Sequence, residues 1–132
     1  SNVAGPNWGL IGDAAACVNP LNGEGIDYGL ETGRLLVELM THEGDLTDAW
    51  PSVLTEHYGE GFSIARRLSG LITVPGLLPT FGPLGMRSRF LMTLALRWMG
   101  NLLDDADRDL AARAWRWAGR RSVLVDERPP FR

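Results

Sequence analysis

The chain has 132 residues, 45% hydrophobic and 22% charged, enough for one packed unit with the composition of a globular protein rather than a disordered or fibrous one. A single cysteine excludes a disulfide framework and a multi-cysteine zinc site, and a net charge of −3 excludes general nucleic-acid binding, which needs a surplus of phosphate-neutralising cations. The charge is uneven: residues 1–85 carry −7 and residues 86–132 carry +4. Such asymmetry reads first as solvated helix faces and second as a guide for an anionic partner.

In chain order, Trp8-Gly9-Leu10-Ile11 reads as one short buried strand that ends at Gly12-Asp13. No second strand is legible before Ser122-Val123-Leu124-Val125, so a sheet is incomplete here. A helix is predicted over residues 25–41 from Ile26, Leu30, Val37 and Met40. Gly29 and Gly33 lie four apart on it and allow close approach to a sheet. A second helix starts near Asp48 as N-cap, with Pro51 in its first turn, and runs through Tyr58, Phe62, Ala65 and Leu68 to about residue 69.

Residues 68–86 are uncharged and long enough to span a membrane, but Pro75, Pro79 and Pro83 with Gly76, Gly82 and Gly85 forbid a continuous span and predict a loop. A third helix from about Gly85 carries Phe90, Leu91, Leu94, Trp98 and Leu102. Asp104 or Asp105 caps a fourth, with Leu110, Ala114 and Trp117 turned inward. The tryptophans, Trp50 and Trp115 among them, read as helix packing.

The stretch that carries chemistry is Gly12-Asp13-Ala14-Ala15-Ala16-Cys17-Val18-Asn19-Pro20-Leu21-Asn22-Gly23-Glu24-Gly25-Ile26. Asp13, at a strand end, is placed to accept hydrogen bonds from hydroxyl groups, as acidic residues do for ribose in nucleotide folds. Gly23 and Gly25 let backbone approach a flat ligand, and the helix that opens there aims free N–H groups and its positive dipole end at it. This describes a site for a polyhydroxylated, partly anionic cofactor. Gly23, Gly25 and Gly29 do not form a primary dinucleotide turn, because that turn follows a strand directly. Cys17 reads as a small buried hydrophobe, His42 and His57 as ordinary residues with no metal site, and the first-turn acids Glu24 and Asp27 as complements to the helix dipole.

The whole stretch resembles the second flavin-binding motif of the para-hydroxybenzoate-hydroxylase-like FAD oxidoreductases. With Asn19-Pro20, Gly23-Glu24-Gly25-Ile26 and Glu31-Thr32-Gly33-Arg34, it is most similar to the geranylgeranyl reductase family. Tyr58-Gly59-Glu60-Gly61-Phe62 and Trp98-Met99-Gly100-Asn101-Leu102 resemble the later helices of its actinobacterial members. The resemblance implies FAD as cofactor, held by Gly12, Asp13, Pro20, Gly23, Glu24, Gly25 and Ile26. Asp13 would meet a ribityl hydroxyl, the segment from Pro20 to Gly25 would lie along the flavin, and Gly25-Ile26 would face its N1–C2 carbonyl side.

It further implies an oxidoreductase that reduces isoprenoid C=C bonds of a lipid or a quinone side chain, with NAD(P)H or another electron donor. A cytoplasmic place is expected, with peripheral contact at the inner face of the cell membrane. No residue is assigned a catalytic step.

The expected fold is mostly α: the strand–loop–helix end of an FAD-binding α/β domain (residues 1–45), then a helical region (residues 46–132). The chain departs from the family in lacking the Gly-x-Gly-x-x-Gly turn and the central strands, so it is expected to be the last third of a flavoenzyme, inactive alone. Ala16 stands where glycine is common. A flavin monooxygenase or halogenase shares the Gly-Asp motif and is the rival enzyme, and a non-catalytic helical interaction or membrane-associated module is the rival from another class. The apolar stretch 68–86 between Arg66, Arg67, Arg87 and Arg89 suits either an anionic lipid surface or burial under the helices.

Overall fold

A computed structural model of the chain describes residues 2–99, 108, 110–127 and 131. Its described part is mostly helical, with a small strand element first. β1 (Ala4–Gly5) and β2 (Trp8–Gly9) form an antiparallel hairpin. A 3₁₀ turn (Gly12–Ala15) follows, then α1 (Ile26–Met40), α2 (Ala49–Ile72), α3 (Leu77–Arg87), α4 (Arg89–Met99) and α5 (Leu110–Leu124).

The strand expected over residues 8–11 is shorter than predicted and has a partner the sequence concealed. Pro6 and Asn7 turn the chain so that Ala4 pairs with Gly9, and the Leu10 N–H donates to Val3 O at 2.8 Å. The second predicted strand, residues 122–125, is instead the end of α5 and the turn after it. Tertiary contacts override its β-branched composition. The Ser122 and Ser63 hydroxyls lie 2.7 Å apart, Ser63 Oγ donates to Asp126 Oδ2, and Arg66 pairs with that same carboxylate. Arg67 donates to Val125 O at 2.7 Å. These bonds fasten the end of α5 along α2.

The core sits where α1 and α2 meet the hairpin and the 3₁₀ turn. Trp50, fully buried, donates its indole N–H to Leu10 O at 2.8 Å and so ties α2 to the strand end. Tyr28, Tyr58 and Phe62 form an aromatic cluster, with ring centroids 5.1–5.8 Å apart. Asp48 precedes α2 as expected, although its side chain makes no capping hydrogen bond.

Two expectations about faces fail. α1 forms where the period of Ile26, Leu30, Val37 and Met40 predicts it; these four lie on its exposed side, and Tyr28, Thr32 and Leu35 are buried. Gly29 and Gly33 do permit a close approach, but to the 3₁₀ turn and strand end rather than to a sheet. A Cβ on Gly12 would lie 3.2 Å from Gly29 Cα, and one on Gly33 would lie 3.6 Å from Ile11 Cδ1. On α5, Leu110, Ala114 and Trp117 are exposed, and Ala112, Gly119 and Ser122 face α2. Trp117 therefore is not core packing; it lies under the Arg121 guanidinium, 5.7 Å from its ring centre. Trp98 and Trp115 do pack together, with centroids 5.5 Å apart.

The loop expected over residues 68–86 is largely helical. α2 runs on to Ile72, a turn with Gly76 in the left-handed region follows, and α3 begins at Leu77. Pro79 falls in the first turn of α3, where an N–H has no intrahelical partner to lose, and only Pro83 costs an interior bond. Ser88, extended, separates α3 from α4, so the single helix predicted from Gly85 begins instead at Arg89. The expected cap at Asp104 or Asp105, together with Leu102, lies outside the described residues.

Candidate functional site

The chemistry-bearing segment folds as two tight turns delivered to the start of α1. After extended Ile11 the chain enters the 3₁₀ turn, and Ala16 reverses it with φ 57°, in the left-handed region. The Ala16 N–H donates to Asp13 O at 3.0 Å and the Cys17 N–H to Gly12 O at 2.9 Å. A left-handed residue here gives a physical reason for glycine at this position.

Gly12 itself has φ 52° and is buried. Its N–H donates to Thr32 Oγ1 at 3.0 Å, and that hydroxyl donates to Tyr28 O at 2.6 Å. Thr32, wholly buried on α1, thus clamps the turn to the helix. Composition alone gave Thr32 no role; the signal was its place within the Gly29–Gly33 pair, opposite Gly12.

The second turn is closed on itself. The Asn19 N–H donates to Glu24 O and the Gly23 N–H to Asn19 O, each at 2.9 Å. The buried Asn19 carboxamide accepts the Leu21 N–H, Asn22 Oδ1 accepts the Glu24 N–H, and Asn22 Nδ2 donates to Glu24 Oε2 at 3.2 Å. Gly23, with φ 74° and open space around it, closes the turn. Residues 20–23 form a small platform beside the helix start, with Pro20 half-buried and Asn22 and Gly23 exposed.

Asp13 and Gly25 meet. A Cβ on Gly25 would lie 2.8 Å from Asp13 Oδ1 and 3.3 Å from Val18 Cγ2. The Asp13 carboxylate therefore rests against the N-cap of α1, a stabilising position for an anion near a helix N-terminus. No side chain caps this helix, and among the described residues none donates a hydrogen bond to the Asp13 carboxylate. Ile26, the first helical residue, is 81% exposed. Of the seven residues proposed from sequence, Asp13, Gly25 and Ile26 converge at the helix start, Pro20, Gly23 and Glu24 form the adjoining turn, and Gly12 lies beneath, its N–H already committed to Thr32.

Cys17 is buried, and burial pushes its thiol pKa up to about 12. It behaves as a small hydrophobe, as its sequence context indicated. Behind the site a cavity of about 670 Å³ opens between α1, α2, α4 and α5. Asn19, Tyr28, Glu31, Tyr58, Trp98 and Trp115 are among the residues that line it. The Tyr58 hydroxyl and Trp98 Nε1 are buried in its walls without a hydrogen-bond partner among the described residues. Burial first, and then the neighbouring Glu31 carboxylate, raise the Tyr58 pKa well above the usual phenol range.

No family model matches the chain, and no solved structure matches it. It is 64% identical over 133 residues to a menaquinone reductase of Mycolicibacterium smegmatis, and 64% identical over 131 residues to menaquinone reductases from two strains of Mycobacterium tuberculosis. Each alignment covers 99% of this chain but 32% of the relative, so the chain spans about a third of the length of the curated relatives it matches.

Proposed function

We propose that this chain forms part of an FAD-dependent oxidoreductase of the geranylgeranyl reductase type that saturates C=C bonds in the isoprenoid tail of a quinone, and that residues 12–26 complete its flavin site. The observation that carries the reading is the 64% identity, along 99% of the chain, to proteins named menaquinone reductase. On this reading residues 1–45 end the FAD-binding domain and residues 46–132 form the helical region beside it.

The residues present fit the cofactor. At Gly25 the backbone has no room for a Cβ because the Asp13 carboxylate fills that space, which brings an acceptor and a helix N-terminus to one point. Asp13 would hold a ribityl hydroxyl, and the platform at Pro20, Gly23 and Glu24 would support the flavin ring. The uncapped N–H groups at Gly25 and Ile26 would favour negative charge on the ring's N1–C2 side. FAD bound there supplies, after reduction by NAD(P)H or another donor, the hydride that together with a proton saturates one C=C bond. Exposed Ile26 offers apolar surface beside that position and helps to exclude water.

The test is reduction of a quinone with an unsaturated tail by the full-length protein, read by mass spectrometry, with the flavin spectrum recorded in parallel. A tail that gains hydrogen while the ring is unchanged supports the reading. Hydroxylation or halogenation of an aromatic ring would replace it with the rival flavoenzyme class.

A further inference from the structure

The cavity behind the turn at residues 19–24 is walled by α1, α2, α4 and α5, and its wall carries two unanswered donors. The Tyr58 hydroxyl and the Trp98 indole N–H have no hydrogen-bond partner among the described residues, and Tyr58 is only 7% exposed. A buried donor left unpaired costs free energy, which an acceptor brought into the cavity compensates. The indole N–H can only donate, and burial keeps the Tyr58 phenol protonated, so both groups call for an acceptor.

The rest of the wall narrows the choice of acceptor. Phe62 and Trp115 line the same cavity, and Trp115 lies against Trp98 with centroids 5.5 Å apart. Aromatic walls favour a flat ring. Charge argues for a neutral one. Glu31, Glu56 and Glu60 also line the cavity, whereas neither Arg97 nor Arg116 is free. A phosphate would meet three carboxylates and find both arginines engaged. The volume of about 670 Å³ falls in the range of roughly 300–1,000 Å³ usual for small-molecule sites. A flat, neutral ring with two carbonyl acceptors meets each of these requirements, and that is the head of a quinone.

We infer that this cavity is a subsite for the quinone ring. The Tyr58 hydroxyl and the Trp98 N–H donate to its carbonyl oxygens, and Phe62 and Trp115 pack against it. The inference deepens the redox reading and rests on it for the identity of the ligand. Asn19 both lines the cavity and closes the turn of the flavin site, through its N–H to Glu24 O and its carbonyl to the Gly23 N–H. A ring seated here is held behind that turn, which leaves the tail rather than the ring to meet the flavin.

Equilibrium dialysis of the oxidised full-length protein with menadione, which carries the methylnaphthoquinone ring and no tail, tests the subsite without turnover. Menadione should bind, and Tyr58→Phe and Trp98→Phe should each weaken it by roughly three- to tenfold, as for one hydrogen bond between neutral groups. Naphthoquinone sulfonate, a similar ring with an anionic group, should bind more weakly than menadione. Without ligand, Tyr58→Phe should hold or raise the thermal midpoint, because it removes an unpaired hydroxyl; a merely structural tyrosine would lower it. In turnover each variant should raise KM for the tailed quinone with little change in kcat. Should a variant fail to fold, competition on the wild-type protein decides. A tailed quinone should displace menadione, and squalene, an isoprenoid chain without a ring, should not.

Menadione that fails to bind, or that binds both folded variants as tightly as wild type, would overturn the subsite. Displacement by squalene would also overturn it and make the cavity a channel for the tail. Failure of the redox reading looks different: menadione binds and the variants weaken it, but the tail of a full quinone gains no hydrogen.

Discussion

The Asp13 carboxylate occupies the volume that any side chain at residue 25 would require, with Oδ1 only 2.8 Å from an ideal Gly25 Cβ. The obstructing atom is the end of a short, exposed side chain, so Gly25→Ala should leave the fold intact and push the carboxylate aside. We expect Gly25→Ala and Asp13→Ala to weaken FAD binding by a similar factor, about tenfold or more for a lost hydrogen bond to a charged group. Flavin titration followed by fluorescence checks this, with unchanged circular dichroism as the control. Loss in one variant but not the other would break the link between the two residues.

Thr32 should matter to stability more than its modest size indicates. Thr32→Val keeps the shape but leaves the buried Gly12 N–H without its 3.0 Å acceptor, a cost of about 1–3 kcal/mol. Thr32→Ser restores the acceptor and should recover most of the loss. Chemical denaturation midpoints of the three proteins decide the point.

Ala16 takes a left-handed conformation that a Cβ disfavours, with φ 57°. Ala16→Gly relieves that cost, roughly 1–2 kcal/mol, against a loss of about 0.5–1 kcal/mol through the freer unfolded chain. The net expectation is a small rise in the unfolding midpoint. A clear fall would show that Ala16 makes contacts that outweigh its backbone conformation.

Alkaline pH should destabilise the fold. Burial raises the pKa of Cys17 from 9.0 to about 12 and also raises those of Tyr28 and Tyr58. The folded state therefore retains protons that the unfolded chain has already released. Stability is complete below the unfolded thiol value and falls as pH climbs from about 9 toward about 12. Urea midpoints measured across that range should decline, and Cys17→Ala should flatten part of the slope. In native protein near neutral pH the thiol should resist alkylation and become reactive on unfolding.

The starts of α1 and α2 were legible because their signals are local: Asp48 before α2 and Gly25 before α1 mark starts that the fold retains. Which face α5 buries was not legible, because that depends on a partner distant in sequence. α5 turns Ala112 and Gly119 inward since small residues let it approach α2. A Cβ on Gly119 would lie 3.3 Å from Glu60 Cβ and 3.4 Å from Glu60 O. Its larger apolar residues Leu110 and Trp117 are left outside. In α3, reading prolines as breakers overlooked that Pro79 falls in a first turn, where a missing N–H costs nothing. The Gly-Asp turn and the glycine pair were legible as a segment, because they act through backbone conformation that their residue types dictate. The Thr32 clamp was not, since it spans twenty residues and appears only once α1 is packed on the turn.

The most direct test of the central claim is a single turnover. Full-length protein is loaded with FAD, reduced in the absence of oxygen, and mixed with a quinone whose isoprenoid tail is unsaturated. The account predicts that flavin absorbance returns as the tail gains one pair of hydrogens, and that Asp13→Ala lowers flavin occupancy and turnover together. A full-length protein that neither carries nor takes up flavin, or one whose reduced flavin leaves the tail unchanged, would contradict it.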